Sequence, residues 1–325
     1  MTTLVTGAAG FIGFHVARRL LDRGERVLGI DSLDAYYDPQ LKRDRLQALQ
    51  GPGFDFRQVD IADAGALAEA LQGRGVRRII HLAAQAGVRH SIENPHAYVQ
   101  ANLVGQVNVL EYARHLEGLE GMVYASSSSV YGGSTKLPFS EADPVDRPVS
   151  LYAATKKADE LMGHAYAHLY RLPLTGLRFF TVYGPWGRPD MAMWVFAEAI
   201  LAGRPLPVFN GGDMARDFTF IDDIVAGVVA VSDSPPADTG GEAPHRVYNI
   251  GNSRPEPLLR VIAVLEEALG RKAELRLEPM QPGDVPATYA DISAIRRDHG
   301  FEPVTPIEEG VPRFAEWFRR YTGLA

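Results

Sequence analysis

A short apolar run, Leu4-Val5-Thr6, leads directly into Gly7-Ala8-Ala9-Gly10-Phe11-Ile12-Gly13, and Phe14, Val16, Ala17, Leu20 and Leu21 follow at helical spacing. No other stretch limits so strongly what the chain can become. A buried strand that turns on glycine into a helix leaves free amide N–H groups at the positive end of the helix dipole, which is a site for an anion. Glycine at these positions lets the backbone turn tightly and approach a pyrophosphate. Such turns are common, so the surroundings decide. Beyond Gly24 a second strand is expected over Arg26 to Ile30, ending at Asp31. A carboxylate there can accept hydrogen bonds from both ribose hydroxyls of NAD and repels the 2′-phosphate of NADP. Gly7, Gly10, Phe11, Ile12, Gly13 and Asp31 are therefore expected to hold NAD.

The alternation continues. A third strand is expected over Phe54 to Val59, followed by Asp60-Ile61 and a helix over Ala64 to Leu71. Val76 to Leu82 reads as a fourth strand, closed by Ala83-Ala84-Gln85, where small side chains allow close approach to a ligand. Val104, Val107 and Leu110 mark a helix, Gly121 to Ser126 a fifth strand and Leu174 to Phe179 a sixth. This repetition predicts an α/β fold: a doubly wound parallel Rossmann sheet whose ligand lies outside the carboxyl ends of the strands. Each motif falls at such an end. Beyond Phe180 the pattern loosens, as expected of a smaller C-terminal α/β substrate domain. The last helix, about Ile307 to Tyr321, is expected to bury Phe314, Trp317 and Phe318.

The 325 residues are 46% hydrophobic and 22% charged, an ordinary globular balance with ample length for a core. A net charge of -7 argues against a nucleic-acid surface. The absence of cysteine excludes disulfides and thiol chemistry, and the nine histidines show no metal-ligand pairing, so no metal is expected. No apolar run approaches the ~18 residues of a membrane span. With Met1-Thr2-Thr3 entering a strand at once, a soluble cytoplasmic protein without a membrane partner is expected.

Chemistry concentrates at Tyr152-Ala153-Ala154-Thr155-Lys156. A tyrosine and a lysine four residues apart share one helix face. A phenol releases its proton near pH ~10, and a nearby ammonium lowers that value. A shift of roughly three units corresponds to about 4 kcal/mol. Upstream, Ser126-Ser127-Ser128-Ser129-Val130-Tyr131-Gly132 follows the fifth strand and places hydroxyls at the expected ligand edge.

Together, G-x-x-G-x-x-G, Asp31, H-L-A-A from His81, S-S-x-x-V-Y-G and Y-x-x-x-K resemble the extended short-chain dehydrogenase/reductase superfamily of nucleotide-sugar epimerases and dehydratases, over essentially the whole chain. Longer stretches resemble the UDP-glucuronate 4-epimerases within it: D-S-L-D-A-Y-Y-D-P from Asp31, A-A-Q-A-G-V-R from Ala83, L-R-F-F-T-V-Y-G-P-W-G-R-P-D-M from Leu177 and R-D-F-T-F-I-D-D-I from Arg216. The resemblance implies Ser127, Tyr152 and Lys156 as catalytic residues, with Tyr152 the base and Lys156 on the nicotinamide ribose. It implies that Asp60, Ile61, Leu82, Ala83, Ala84, Asn102 and Phe179 line the NAD site. A UDP-sugar is expected against Gln85, Arg89, Ser127, Ser128, Ser129, Tyr152, Thr181, Arg188, Val208, Phe209, Arg216 and Asp284. Phe209 either stacks on uracil or belongs to the core. Relatives carry an arginine where this chain has Gln281. The NAD domain is expected over 1–180 with about 218–250, and the sugar domain over 181–217 and 251–325. A homodimer through helices near Pro95–Glu117 and Tyr152–Tyr170 is also implied.

The expected reaction interconverts UDP-glucuronate and UDP-galacturonate through a transient 4-keto sugar. Dehydratases carry Asp and Glu after the catalytic hydroxyl; here Ser128 and Ser129 stand, so dehydration is disfavoured. A 4-ketouronate is a β-keto acid, so its carboxylate must be held out of alignment with the carbonyl. Ser128, Ser129, Thr181 and the planar guanidinium of Arg188 suit that task, although Arg188 would equally serve to order its loop. The alternatives are a neutral UDP-sugar 4-epimerase, a net oxidoreductase consuming NAD, and a non-catalytic NAD-dependent sensor.

Overall fold

The computed structural model describes residues 1–280 and 285–324. Strand β1 (Thr2–Thr6) sends Leu4 to one face of the central sheet and Val5 to the other, both fully buried. Burial on both faces is what makes parallel strands read as continuous apolar runs. Helix α1 (Phe11–Asp22), β2 (Arg26–Asp31), α2 (Pro39–Leu49), β3 (Phe54–Gln58), α3 (Ala64–Leu71) and β4 (Val76–His81) follow. Two single-turn helices, α4 (His90–Glu93) and α5 (Pro95–Tyr98), run through a π-helical stretch, Val99–Val104, into α6 (Gly105–Arg114). Then come β5 (Gly121–Ser127), a 3-10 turn at Ser128–Tyr131, α7 (Leu151–Tyr170) and β6 (Leu174–Phe179). Strand ends differ from the sequence expectation by one residue in β3, β4 and β5, and β1 begins earlier.

The later elements are β7 (Thr181–Tyr183), α8 (Ala192–Ala202), β8 (Leu206–Val208), β9 (Ala215–Phe220), α9 (Ile221–Asp233), β10 (His245–Ile250), β11 (Pro255–Pro257), α10 (Leu258–Leu269), β12 (Leu275–Leu277), β13 (Ala287–Thr288), α11 (Ser293–His299) and α12 (Ile307–Thr322). Seven parallel strands form the main sheet in the order β3-β2-β1-β4-β5-β6-β10. Strand β10, not singled out in the sequence, closes one edge beside β6, and α9 returns to pack on α1. The order reverses between β1 and β4, which opens a crevice at their carboxyl ends. Helices α3, α6 and α7 cover one face through Leu67, Leu71, Val109, Leu110 and Ala167. On the other face α1 and α9 merge with the core shared by α8, α10 and α12. Among the described residues no helix is long and apolar enough to cross a membrane. In α12, Phe314 and Phe318 are buried as expected; Trp317 is only half-buried, because it stacks on Tyr321 at 5.2 Å between ring centres instead of entering the core.

Two glycines fix how closely α1 approaches the sheet. Gly7 adopts φ +70°, and a Cβ there would lie 2.8 Å from the Ala83 amide nitrogen of the next strand end. A Cβ on Gly13 would collide with the Gly7 carbonyl oxygen. Gly13→Ala is therefore expected to push α1 off the turn and leave purified protein depleted of bound dinucleotide, measured by assaying the cofactor released on denaturation.

His81, at the end of β4, is buried with Nδ1 2.6 Å from Thr6 Oγ1. That hydroxyl already accepts from the Leu82 and Ala83 N–H groups, so its own proton goes to Nδ1 and the neutral imidazole carries its hydrogen on Nε2. Burial, with Lys156 adding to it, lowers the imidazole to about 3. A histidine held neutral in the fold stabilises it fully above its unfolded value of 6.5, and that contribution is lost as pH falls toward about 3. His81→Asn is expected to flatten the pH dependence of unfolding free energy across that window, by up to ~1.4 kcal/mol per pH unit. Denaturant titrations at several pH values measure it; equal slopes for parent and variant would refute the burial account.

Candidate active site

The glycine turn is braced from both sides. Ala8 N–H donates to the Ile30 carbonyl at 3.1 Å, and Ala9 N–H to Asp31 Oδ2 at 3.2 Å. The other Asp31 oxygen accepts from Leu33 N–H at 2.9 Å and lies 3.5 Å from Lys42 Nζ. Asp31 is therefore a buried anchor at the crevice. Gly10 stands at the N-cap of α1 with no side-chain cap, so the N–H groups of Phe11, Ile12 and Gly13 open the helix. A cradle that a Cβ would fill, free helix N–H groups and a fixed acid at the second strand end fit a dinucleotide.

Asp60 is exposed at the end of β3, and Ile61 is buried against Gly105. Leu82 and Ala83 are held by Thr6 Oγ1, each at 3.1 Å. Asn102 is buried, and both its amide hydrogens are committed: one to the Gln85 carbonyl at 3.1 Å, the other to Thr155 Oγ1 at 2.9 Å. Its oxygen accepts from Gln85 N–H at 2.8 Å. Asn102 thus braces the Ala83–Gln85 segment against α7. Phe179 ends β6, half-buried.

Ser150 caps α7 by accepting from Ala153 N–H, which starts the helix one residue before Tyr152. Tyr152 and Lys156 stand one turn apart, with the Tyr98 ring edge-on to Tyr152 at 6.0 Å. Lys156 is buried, and its ammonium donates to the Ala125 carbonyl at 2.9 Å and to Asp159 at 3.0 Å. The serine run divides. Ser127 caps the following 3-10 turn by accepting from Ser129 N–H at 3.2 Å, and its hydroxyl donates to Ser129 Oγ. Ser128 and Ser129 are half-buried. Ser126 instead turns beneath the sheet edge and donates to Glu160 at 2.6 Å. Glu160 also receives a fork of two bonds from Arg178, at 2.7 and 2.9 Å.

Phe11, Thr181, Gly187 and Arg188 line one small cleft, so a residue expected at the cofactor and two expected at the sugar converge. Arg188 pairs with Asp190 through both ends of its guanidinium, at 3.0 and 2.5 Å. Burial opposes its charge, yet Asp190 more than offsets that and Tyr152 adds to it. Tyr36 Oη donates to Asp190 at 3.1 Å. The Arg89 guanidinium lies 5.6 Å from the centre of the half-buried Phe209 ring, which brings two further expected residues together. Gln85, four residues before Arg89, is buried. Arg216 reaches the Ala215 and Pro286 carbonyls, each at 3.0 Å. Val208 departs from expectation. Its side chain is fully buried and its carbonyl accepts from Glu278 N–H at 2.8 Å, because β8 pairs with β12 there; a side-chain contact with a base is excluded. Asp284, with Gln281, lies outside the described residues.

Several residues at this edge escaped the sequence. Asp159 sits three positions after Lys156 and Asp190 two after Arg188, spacings that do signal local pairs. Tyr36, Tyr98 and Arg45 gave no such signal. Arg45 is fully buried on α2 and donates to the Ala9 carbonyl at 2.9 Å, to Tyr37 Oη at 2.8 Å and to the Trp186 and Gly187 carbonyls at 2.6 and 3.2 Å. Trp186 itself adopts φ +63°.

Residues 3–251 match the family described as NAD dependent epimerase/dehydratase. A probable UDP-glucuronate 4-epimerase of Rhizobium meliloti is 49% identical, the alignment covering 98% of this chain and 97% of that one. The crystal structure of UDP-glucuronic acid 4-epimerase from Bacillus cereus, in complex with UDP-glucuronic acid and NAD, superposes with a TM-score of 0.89 at 33% identity, covering 99% of this chain and 100% of the other. A UDP-glucose 4-epimerase from Thermotoga maritima, solved with UDP-glucose, superposes with a TM-score of 0.87 at 28% identity over 99% of each chain. The crevice, the glycine cradle and these likenesses agree: the chain belongs to the NAD-dependent epimerase/dehydratase family.

Proposed function

We propose that this chain is a UDP-glucuronate 4-epimerase that keeps NAD bound through its cycle and interconverts UDP-glucuronate and UDP-galacturonate. One observation carries the reading. Arg188, a guanidinium suited to a carboxylate, shares its cleft with Phe11 of the glycine turn and with Thr181. A neutral hexose offers no carboxylate to such a group. Residues 1–180 with about 218–250 form the cofactor domain in this reading, and 181–217 with 251–325 the nucleotide-sugar domain.

When bound, NAD would supply the acceptor and donor of hydride for C4 of the sugar. Tyr152 takes the proton from the C4 hydroxyl and gives it back. Lys156 favours the phenolate of Tyr152 and bonds the nicotinamide ribose; Ser127 orients the C4 oxygen. Gly7, Gly10, Gly13 and the first amides of α1 hold the pyrophosphate, and Asp31 the adenosine ribose. Ser128, Ser129, Thr181 and Arg188 hold the carboxylate so that its carbon–carbon bond stays out of line with the C4 carbonyl. Arg89 and Phe209 form a cation-topped aromatic platform for uracil, and Arg216 meets the diphosphate. The active species is a cytoplasmic homodimer built on the outer faces of α6 and α7, where Leu161, Leu169 and Tyr170 are exposed.

Incubating the protein with UDP-glucuronate and no added cofactor is expected to yield UDP-galacturonate, with little turnover of UDP-glucose; chromatography of the nucleotide sugars distinguishes them. Tyr152→Phe should slow the reaction by roughly 10²–10⁴-fold, and parental rates in that variant would sink the assignment. Thr181→Val or Arg188→Met should release a UDP-pentose alongside the epimer. Slower turnover without any pentose would assign these residues to loop structure instead.

A further inference from the structure

Asp159 faces inward from α7, one turn beyond Lys156, and is 1% exposed. No step proposed above uses it. Its Oδ2 accepts from Lys156 Nζ at 3.0 Å, while Oδ1 is buried with no hydrogen-bond partner among the described residues. A buried carboxylate with one oxygen unsatisfied destabilises a fold, and aspartate is a poor former of helix interiors. Packing therefore gives no reason for an acid here. The lysine does. An ammonium has three hydrogens; Ala125 and Asp159 take two, and one remains for a ligand.

We propose that Asp159 is a positioning residue for the Tyr152–Lys156 pair: with the Ala125 carbonyl it fixes the ammonium so that one N–H is left for the cofactor ribose, and its negative charge moderates the pull of Lys156 on the phenol. The inference rests on Tyr152 and Lys156 acting as described above. The surroundings leave that charge little else to act on. Glu160, next on the same helix, repels it and is held by Arg178 of β6. From β5, Tyr124 stays neutral, its phenol raised far above its usual value by burial. From β4, His81 is neutral too, lowered to about 3. Burial raises Asp159 itself to about 6, with Lys156 pulling the other way, so the carboxylate is charged at neutral pH and near its limit.

The test is the pH profile of kcat for the full-length enzyme on UDP-glucuronate. In Asp159→Asn the phenolate of Tyr152 loses a like charge two helical turns away and Lys156 loses its counter-ion, so both limbs of the profile should move toward acid, the alkaline one by roughly one unit. Asp159→Glu keeps the charge and should return the limbs to their parental positions. If the Asn variant does not fold, Asp159→Ser, which leaves room for water, is expected to show the same displacement. A purely structural role would lower the melting temperature or the amplitude and leave both limbs in place, and a neutral variant whose limbs superimpose on those of the parent overturns the inference. So does a Glu variant displaced as far as the neutral one. An active parent with unmoved limbs overturns this inference alone, whereas a parent that does not epimerise UDP-glucuronate removes the functional reading with it.

Discussion

The closeness of α1 to the first strand is the constraint on which the rest of the structure depends. Gly13 lies against the Gly7 carbonyl at a distance that admits no side chain, and Gly7 itself leaves no room before the backbone of Ala83. With that spacing the first helix begins directly over the crevice between β1 and β4, and its first amides look into it. Everything downstream is registered to the same edge. Thr6 reaches across to hold Leu82 and Ala83, Asn102 holds Gln85 and reaches Thr155 of α7, and α7 carries Tyr152 and Lys156. Helix α7 is thus tied, through these hydrogen bonds, to the turn that begins the chain.

Beneath this edge lies a layer of buried charge. Arg178 and Glu160 form a two-point pair, steadied by Ser126 and Tyr131, and Lys156 and Asp159 form a second pair on the same side of the sheet. Buried pairs of this kind are a doubtful source of stability, since desolvating both ions offsets much of their attraction, yet removing one member leaves a strongly unfavourable lone charge. Their worth is geometric. They fix which direction an ammonium faces, and a helix packed by apolar contacts alone would leave a lysine free to swing.

The fold was legible because its signals are periodic and local: the glycine turn and six strands lie within two residues of their expected ends, whereas the largely polar α2 gives no comparable signal. Strand β10 was not, since His245, Arg246 and Asn249 interrupt its apolar run. At the site, spacing identified Tyr152 with Lys156 because both lie on one helix, and strand ends located Ser127 and Gln85. Pairings between distant segments left no such trace. Tyr36 and Asp190 are 154 positions apart, and nothing in either stretch announces the other. Val208 failed for a related reason: its neighbours are set by β12, whose pairing with β8 is a tertiary fact.

Arg45 has a mechanical consequence. Its single planar group holds the Ala9 carbonyl of the glycine turn and the Trp186 and Gly187 carbonyls of the segment leading to Arg188. Pulling either loop away would strand a desolvated cation, and Trp186 already occupies a backbone region that only surrounding contacts can enforce. The glycine turn and the Trp186–Gly187 segment therefore behave as one rivet-joined plate, and neither can yield without dragging on the other.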